Sequence, residues 1–397
     1  MREGFTAVLG GDIAAKVFTA GFVVLAIRQL PVATFASYTY LSSLVILAYT
    51  IVSGVFNRQF LLLSPSLCNE RRFRNLQIGA TALVFVGCTL LFRPSASVLG
   101  LLAAFICAMA AASYDFHRTA TQKRQRFGTY ASIEVARTLI MLSLGLLILV
   151  VPTVHQVEVL FAAQALSYVL IGFVLRLQPR PNEPAAGYAA IIGQFVGAAG
   201  LWIIAYWLLV AVVGQAPLLL LARLGDAATL AALGSAMRYY GIALSVVVAV
   251  NVVVLPHLSG GDTPAEVFRR MGESARLLLF AMAIVIVGAV MGYALIPFID
   301  GGKYPEAPVL FVLLCLGLFP GIVMAPISSA LLRLDRTGDM VLAMTAGLVV
   351  TVIITAATRS AIGAAAAVPA GTIGQLLVGI AALHRTRGRI NLSRMTG

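Results

Sequence analysis

The chain has 397 residues, of which 60% are hydrophobic and only 11% charged, with a mean hydropathy of +0.97. A soluble domain carries about 25% charged residues, so this composition excludes a soluble globular enzyme, a disordered chain and a secreted disulfide scaffold. The formal net charge is +13; in so apolar a chain that excess reads as basic loops along one membrane face, not as a nucleic-acid surface.

A bilayer-spanning helix needs about 20 mostly apolar residues. Twelve such spans are predicted, at Leu9–Ile27, Thr34–Val55, Ile78–Phe92, Ser97–Ala112, Thr129–Val151, Val157–Leu175, Val196–Leu221, Leu230–Leu255, Leu277–Phe298, Ala307–Leu331, Met340–Ala357 and Ala361–Leu383. The runs are continuous rather than alternating, which excludes a β-barrel. The first run holds Asp12 and Lys16 and is followed by further spans, so it reads as a retained helix and not as a cleaved signal.

Lysines and arginines test this topology. Twenty fall on the side that holds the N-terminus, five on the other, and Lys16, Arg137 and Arg238 lie inside spans. The positive-inside rule then places both termini in the cytoplasm. Between the sixth and seventh spans the segment LQPRPNEPAAG carries Pro179, Pro181 and Pro184, a linker signal. The expected organisation is a six-helix bundle over 1–176, a linker over 177–195, a second bundle over 196–384 and a basic tail over 385–397. An echo between Leu30-Pro31-Val32-Ala33-Thr34-Phe35-Ala36 and Leu224-Gly225-Asp226-Ala227-Ala228-Thr229-Leu230-Ala231 points to a repeat. Six spans per half give both halves one orientation, a pseudo-twofold axis along the membrane normal. The fold class read from sequence is therefore an all-α polytopic membrane protein of about twelve transmembrane helices in two bundles.

Ionisable groups inside spans carry the functional signal, because each costs about 2.5–3.5 kcal/mol at the bilayer centre and faces a cavity or a partner. Asp12 and Lys16 are spaced i, i+4, and Glu134 and Arg137 i, i+3, so each pair shares a helix face. Arg238 has no acid within one helical turn and lies about 12 Å into its span at about 1.5 Å per residue. Arg28 and Arg58 flank span ends. The cations outnumber the acids, and a basic cavity suits an anionic headgroup; the arginine fork matches phosphate oxygens. Tyr38, Tyr40, Tyr239 and Tyr240 read as interfacial aromatics, and the stretch His117–Arg126 reads as a basic loop on anionic lipid. No Walker A sequence, nucleophile elbow or HExxH is present, and none of Cys68, Cys88, Cys107 and Cys315 has metal-ligand spacing, so no enzyme and no resident metal or cofactor is expected.

The junction Arg28-Gln29-Leu30-Pro31-Val32-Ala33-Thr34-Phe35-Ala36-Ser37-Tyr38 resembles that between the first two helices of Wzx-type polysaccharide-biosynthesis flippases, which export O-antigen and exopolysaccharide units and share a superfamily with the multidrug and toxin extruders. Asn57-Arg58, Leu233-Gly234-Ser235-Ala236-Met237-Arg238 and Gly301-Gly302-Lys303-Tyr304-Pro305-Glu306-Ala307 are similar to later motifs of that family in the same order. The resemblance implies alternating access in the bacterial inner membrane. The implied cargo is a lipid-linked oligosaccharide on polyprenyl diphosphate, with membrane lipids and glycan-assembly proteins as partners. By position Arg28, Arg58 and Arg238 match the motifs; Lys16 and Arg137 join them as headgroup candidates from burial, and Asp12 and Glu134 are candidates for binding a coupling proton or sodium ion. The two further helices typical of peptidoglycan-precursor flippases are lacking. The rival readings are a cation-coupled multidrug antiporter of the same fold, a membrane glycan polymerase or ligase, and a scaffold for glycan synthesis.

Overall fold

The computed structural model describes residues 2–62, 69–92, 96–124, 126–152, 155–176, 192–193, 198–259, 264–334 and 336–395. The helices are α1 (Arg2–Gln29), α2 (Val32–Leu62), α3 (Glu70–Phe92), α4 (Val98–Lys123), α5 (Phe127–Gly145), α6 (Gln156–Arg176), α7 (Ala198–Leu224), α8 (Ala227–Ser259), α9 (Pro264–Glu273), α10 (Ala275–Asp300), α11 (Ala307–Leu316), α12 (Leu318–Arg333), α13 (Thr337–Thr358) and α14 (Ala361–Met395). Among the described residues 11 segments are long and apolar enough to span a membrane, α11 and α12 counting as one. Helix α1, with 28 residues, adds a twelfth helix of spanning length. The chain is an all-α, multi-pass membrane protein, and no strand occurs among the described residues.

The break between α11 and α12 has a local cause. Pro320 has no N–H to donate to the carbonyl four residues back, and Gly317 closes a tight turn onto Leu314 at 2.9 Å. Helix α4 starts on the Ser97 side chain, which accepts from Gly100 N–H at 2.9 Å and donates to Glu158 of α6 at 2.9 Å. Helix α8 starts on Asp226, whose carboxylate accepts from Thr229 N–H at 2.7 Å; those local hydrogen bonds hold its pKa below the usual carboxylate value. The two echoing segments thus do one job: each turns the chain from one long helix into the next, at Leu30–Pro31 and at Gly225–Asp226.

Two compact units divide the chain, residues 1–211 and 212–397, the boundary falling inside α7. In the first unit α1 packs along α5, α2 along α3 and α4, and α6 against α4 and α5. Phe60, Phe73, Phe116 and Ala120 form a buried core where α2, α3 and α4 meet, with Phe60 and Phe116 rings 4.9 Å apart. In the second unit α13 lies along α14, and α8 packs on α10, α11 and α12. Leu83, Leu90, Leu279, Phe280, Val290 and Phe298 are exposed, as expected of faces solvated by lipid tails. Lipid is as apolar as leucine, so close packing and polar contacts, not burial from water, hold such helices together.

Hydropathy ends several predicted spans too soon. Helix α4 runs past Ala112 to Lys123, so His117 to Lys123 is helix, not basic loop. Its charges are internally satisfied: Lys123 Nζ donates to the Phe60 carbonyl at 2.7 Å, and Arg124, the residue that follows, reaches Glu70 at 2.6 Å. Helix α2 likewise runs to Leu62, α3 starts at Glu70, and α14 continues through the C-terminal arginines to Met395. Helix α9, a short polar-faced helix, was not predicted; its Arg269 and Arg270 pair with Glu266 and Glu273. The predicted linker lies outside the described residues except for 192–193.

The α1–α5 seam sets a prediction. A methyl on Gly11 would stand 2.6 Å from Ala131 Cβ and 3.1 Å from its backbone, and one on Gly145 would stand 2.7 Å from the Phe22 ring. Gly11→Leu should therefore lower stability by about 1–3 kcal/mol through overpacking. Gly214→Ala, whose methyl meets nothing within 4 Å, should leave stability unchanged or raised. Thermal unfolding in detergent checks both.

Candidate functional site

The first unit holds a buried ionic cluster built from the face-sharing of α4 and α5. Glu134 and Arg137 pair as their spacing predicts, with Arg137 Nη2 donating to Glu134 Oε1 at 2.6 Å. The second carboxylate oxygen accepts from the Tyr114 hydroxyl, and Arg118 Nε lies 3.9 Å from it. Arg137 is 8% exposed, and its guanidinium sits 4.8 Å from the Tyr168 ring centroid and 5.5 Å from that of Tyr114. Arg118 lies 4.4 Å over Tyr130. These stacked cation–π contacts suit the planar guanidinium.

Beside the cluster Asp115 accepts from Asn57 Nδ2 at 2.5 Å. Gln77 donates to Ser53 Oγ at 3.0 Å, and Ser53 in turn bonds Asp115. A cavity of about 70 Å³ joins Asp115, Arg118, Glu134 and Arg137, and Tyr49 and Tyr168 line it too. That is room for about two waters at about 30 Å³ each. Two arginines face two carboxylates here, so this interior is charge-balanced and not net basic.

The second unit holds a smaller polar centre. Asp300, at the end of α10, is 2% exposed; its carboxylate accepts from Ser235 Oγ at 2.8 Å and from the Tyr239 hydroxyl, both on α8. Gly301 and Gly302, at φ 65° and 72°, turn the chain sharply after it, and the buried Tyr304 follows. Burial pulls the Lys303 ammonium below its usual pKa, an effect the nearby Asp300 opposes; the Tyr304 phenol is pushed up by burial and by Asp300.

The predicted residues divide accordingly. Glu134 and Arg137 are brought together and locked into the cluster. Lys16 is exposed near the middle of α1, Arg28 is exposed at its end, and Arg238 is half-buried in α8. The side chains of Asp12 and Arg58 lie outside the described residues. Tyr38, Tyr40 and Tyr239 are buried within their units rather than lipid-facing at the interface: Tyr38 accepts from Gln164 at 2.8 Å, Tyr40 donates to the Phe92 carbonyl at 2.8 Å, and Tyr239 donates to Asp300. Asp115, Arg118 and Asp300 were not singled out as in-span groups. Asp115 and Arg118 share an i, i+3 spacing, a signal available once the helix is known to continue.

No family model matches the sequence, and no curated protein matches it. Solved structures do. The lipid II flippase MurJ in an inward closed conformation superposes with TM-score 0.71 at 13% identity, covering 95% of this chain and 87% of that one. An inward-facing multidrug resistance MATE family transporter of the MOP superfamily gives 0.62 at 14% identity, covering 96% of each chain. The Vibrio cholerae MATE transporter VcmN gives 0.62 at 14% identity, covering 97% of this chain and 96% of that one. The chain has the fold of these transporters. That fold is shared over nearly its whole length, as two six-helix bundles.

The cluster yields a prediction of its own. Removing one member of a buried ion pair strands the other, at about 3–5 kcal/mol, whereas replacing both by apolar residues is often neutral. Glu134→Leu should sharply lower thermal stability and yield in membranes, and Glu134→Leu with Arg137→Met should recover much of the loss.

Proposed function

We propose that the protein is a flippase that moves oligosaccharide linked to polyprenyl diphosphate from the cytoplasmic to the outer leaflet of the inner membrane by alternating access, with both termini cytoplasmic. The observation that carries this reading is Lys16, exposed about 21 Å along α1 at about 1.5 Å per residue. An ionisable group at that depth faces a cavity or a partner, and in this reading Lys16 meets the substrate headgroup. Arg238 stands about 16 Å into α8 by the same rise and is half-buried. Each is a cationic group at mid-depth on its helix, the chemistry that phosphate oxygens bind. The fold similarity to a lipid II flippase supports cargo of the lipid-linked class.

Arg28 and Arg58 stay in the proposed headgroup path by their motif positions. Arg137 takes a different role, because Glu134 and two tyrosine faces occupy its guanidinium. The same contacts leave Asp12, rather than Glu134, as the proposed site for a coupling proton or sodium ion. An inside-negative potential favours outward movement of negative charge by about 2.3 kcal/mol per charge per 100 mV, a driving force that needs no ATP.

A second reading, a cation-coupled multidrug antiporter, is favoured by one observation: two in-helix carboxylates, the buried Asp300 and the half-buried Asp115, in a fold shared with MATE transporters. Flipping of a fluorescent polyprenyl-diphosphate oligosaccharide in proteoliposomes decides between them. Arg238→Ala and Lys16→Ala should each slow flipping by about tenfold or more, the worth of a charge-assisted hydrogen bond, at unchanged protein abundance. Flipping that survives both substitutions removes the headgroup role. Absence of flipping, together with organic-cation movement driven by a proton or sodium gradient, establishes the antiporter.

A further inference from the structure

Asp300 is an awkward place for a carboxylate. It is buried, and it sits at the C-terminal end of α10, where helix carbonyls already concentrate negative potential. Apolar close contacts also occur in this unit: Gly292 receives the Phe311 ring, and Gly379 receives the Met324 side chain. The Asp300 carboxylate adds directed contacts, which apolar packing does not supply. Its two oxygens each accept one hydroxyl, from Ser235 and Tyr239. Those residues are four apart on α8, so they share a face and lie about 6 Å apart along the axis. One contact would let α8 roll; two contacts to one rigid carboxylate fix both its rotation and its axial position. Arg238 lies between them in sequence, on a direction about 60° around the helix from Ser235. The anchoring side is itself held, because Gly301 and Gly302 turn the chain and Tyr304 and Ala307 are buried directly after.

We infer that Asp300 is a positioning residue: through Ser235 and Tyr239 it clamps α8 and so sets where Arg238 presents its guanidinium to the substrate headgroup. This rests on the reading that Arg238 binds diphosphate. Buried polar groups retained for register rather than for stability are a known use of such contacts.

The test uses the full chain in proteoliposomes, with KM and maximal rate for the labelled polyprenyl-diphosphate oligosaccharide, and titration of farnesyl diphosphate as a binding probe. Asp300→Ala should raise KM and weaken farnesyl diphosphate binding by about tenfold, the worth of the two hydrogen bonds, with little change in maximal rate. Asp300→Asn should bind and transport as wild type, since its amide can accept from one hydroxyl and donate to the other. Tyr239→Phe, which keeps half the clamp, should lie between and serves if Asp300→Ala fails to fold. On an Arg238→Ala background Asp300→Ala should add nothing, the non-additivity expected of residues acting through one group. If Arg238→Ala abolishes binding while Asp300→Ala lowers only maximal rate, or Asp300→Asn fails as badly as Asp300→Ala, the clamp is wrong and the headgroup reading stands. If Arg238→Ala leaves binding and flipping intact, the headgroup reading falls and takes the clamp with it.

Discussion

An ionised side chain within a bilayer must be paired or wet. Hydrocarbon offers no solvation, so each charge at depth has either a built partner or a water-filled space beside it. This protein meets the requirement in two ways. In the first unit, Glu134, Arg137, Arg118 and Asp115 line a small polar cavity and balance one another, with tyrosine faces covering the guanidinium planes. In the second, Asp300 shares its charge with two hydroxyls from a neighbouring helix. Of the predicted mid-span cations, Lys16 is exposed, Arg238 half-buried and Arg137 buried.

The same constraint separates scaffold from working surface. Moving any member of such a cluster strands another buried charge. The α1–α5 seam points the same way: Gly11 and Gly145 leave no room for a side chain, so α1 is seated closely on α5. Lys16 is carried on that seated helix, and Arg238 on a helix held by the Asp300 contacts.

Much of the fold was legible in the residues. Long apolar runs define spans, and the segments near Leu30 and Leu224 each mark a turn between two long helices. The Glu134–Arg137 pair was legible too, because i, i+3 spacing places both on one face of any helix. The ends of helices were not. A hydropathy window closes at the first charge, whereas a helix continues wherever its charges find partners, as α4 does through Arg118 and Lys123. Asp115, Arg118 and Asp300 were hidden for that reason, and Tyr38 and Tyr40 read as interfacial because a side chain's depth cannot be told from its type.

By itself the sequence determined that this is a multi-pass helical membrane protein in two halves. Those features depend only on composition and on periodicity along the chain. Tertiary structure alone decided which charges are enclosed and which are exposed. Arg137 and Lys16 look alike in the chain, each a cation near an acid in an apolar run. Arg137 is enclosed by Tyr114, Tyr168 and Glu134, brought together from three helices, while Lys16 stands exposed, and that difference exists only once the helices have packed.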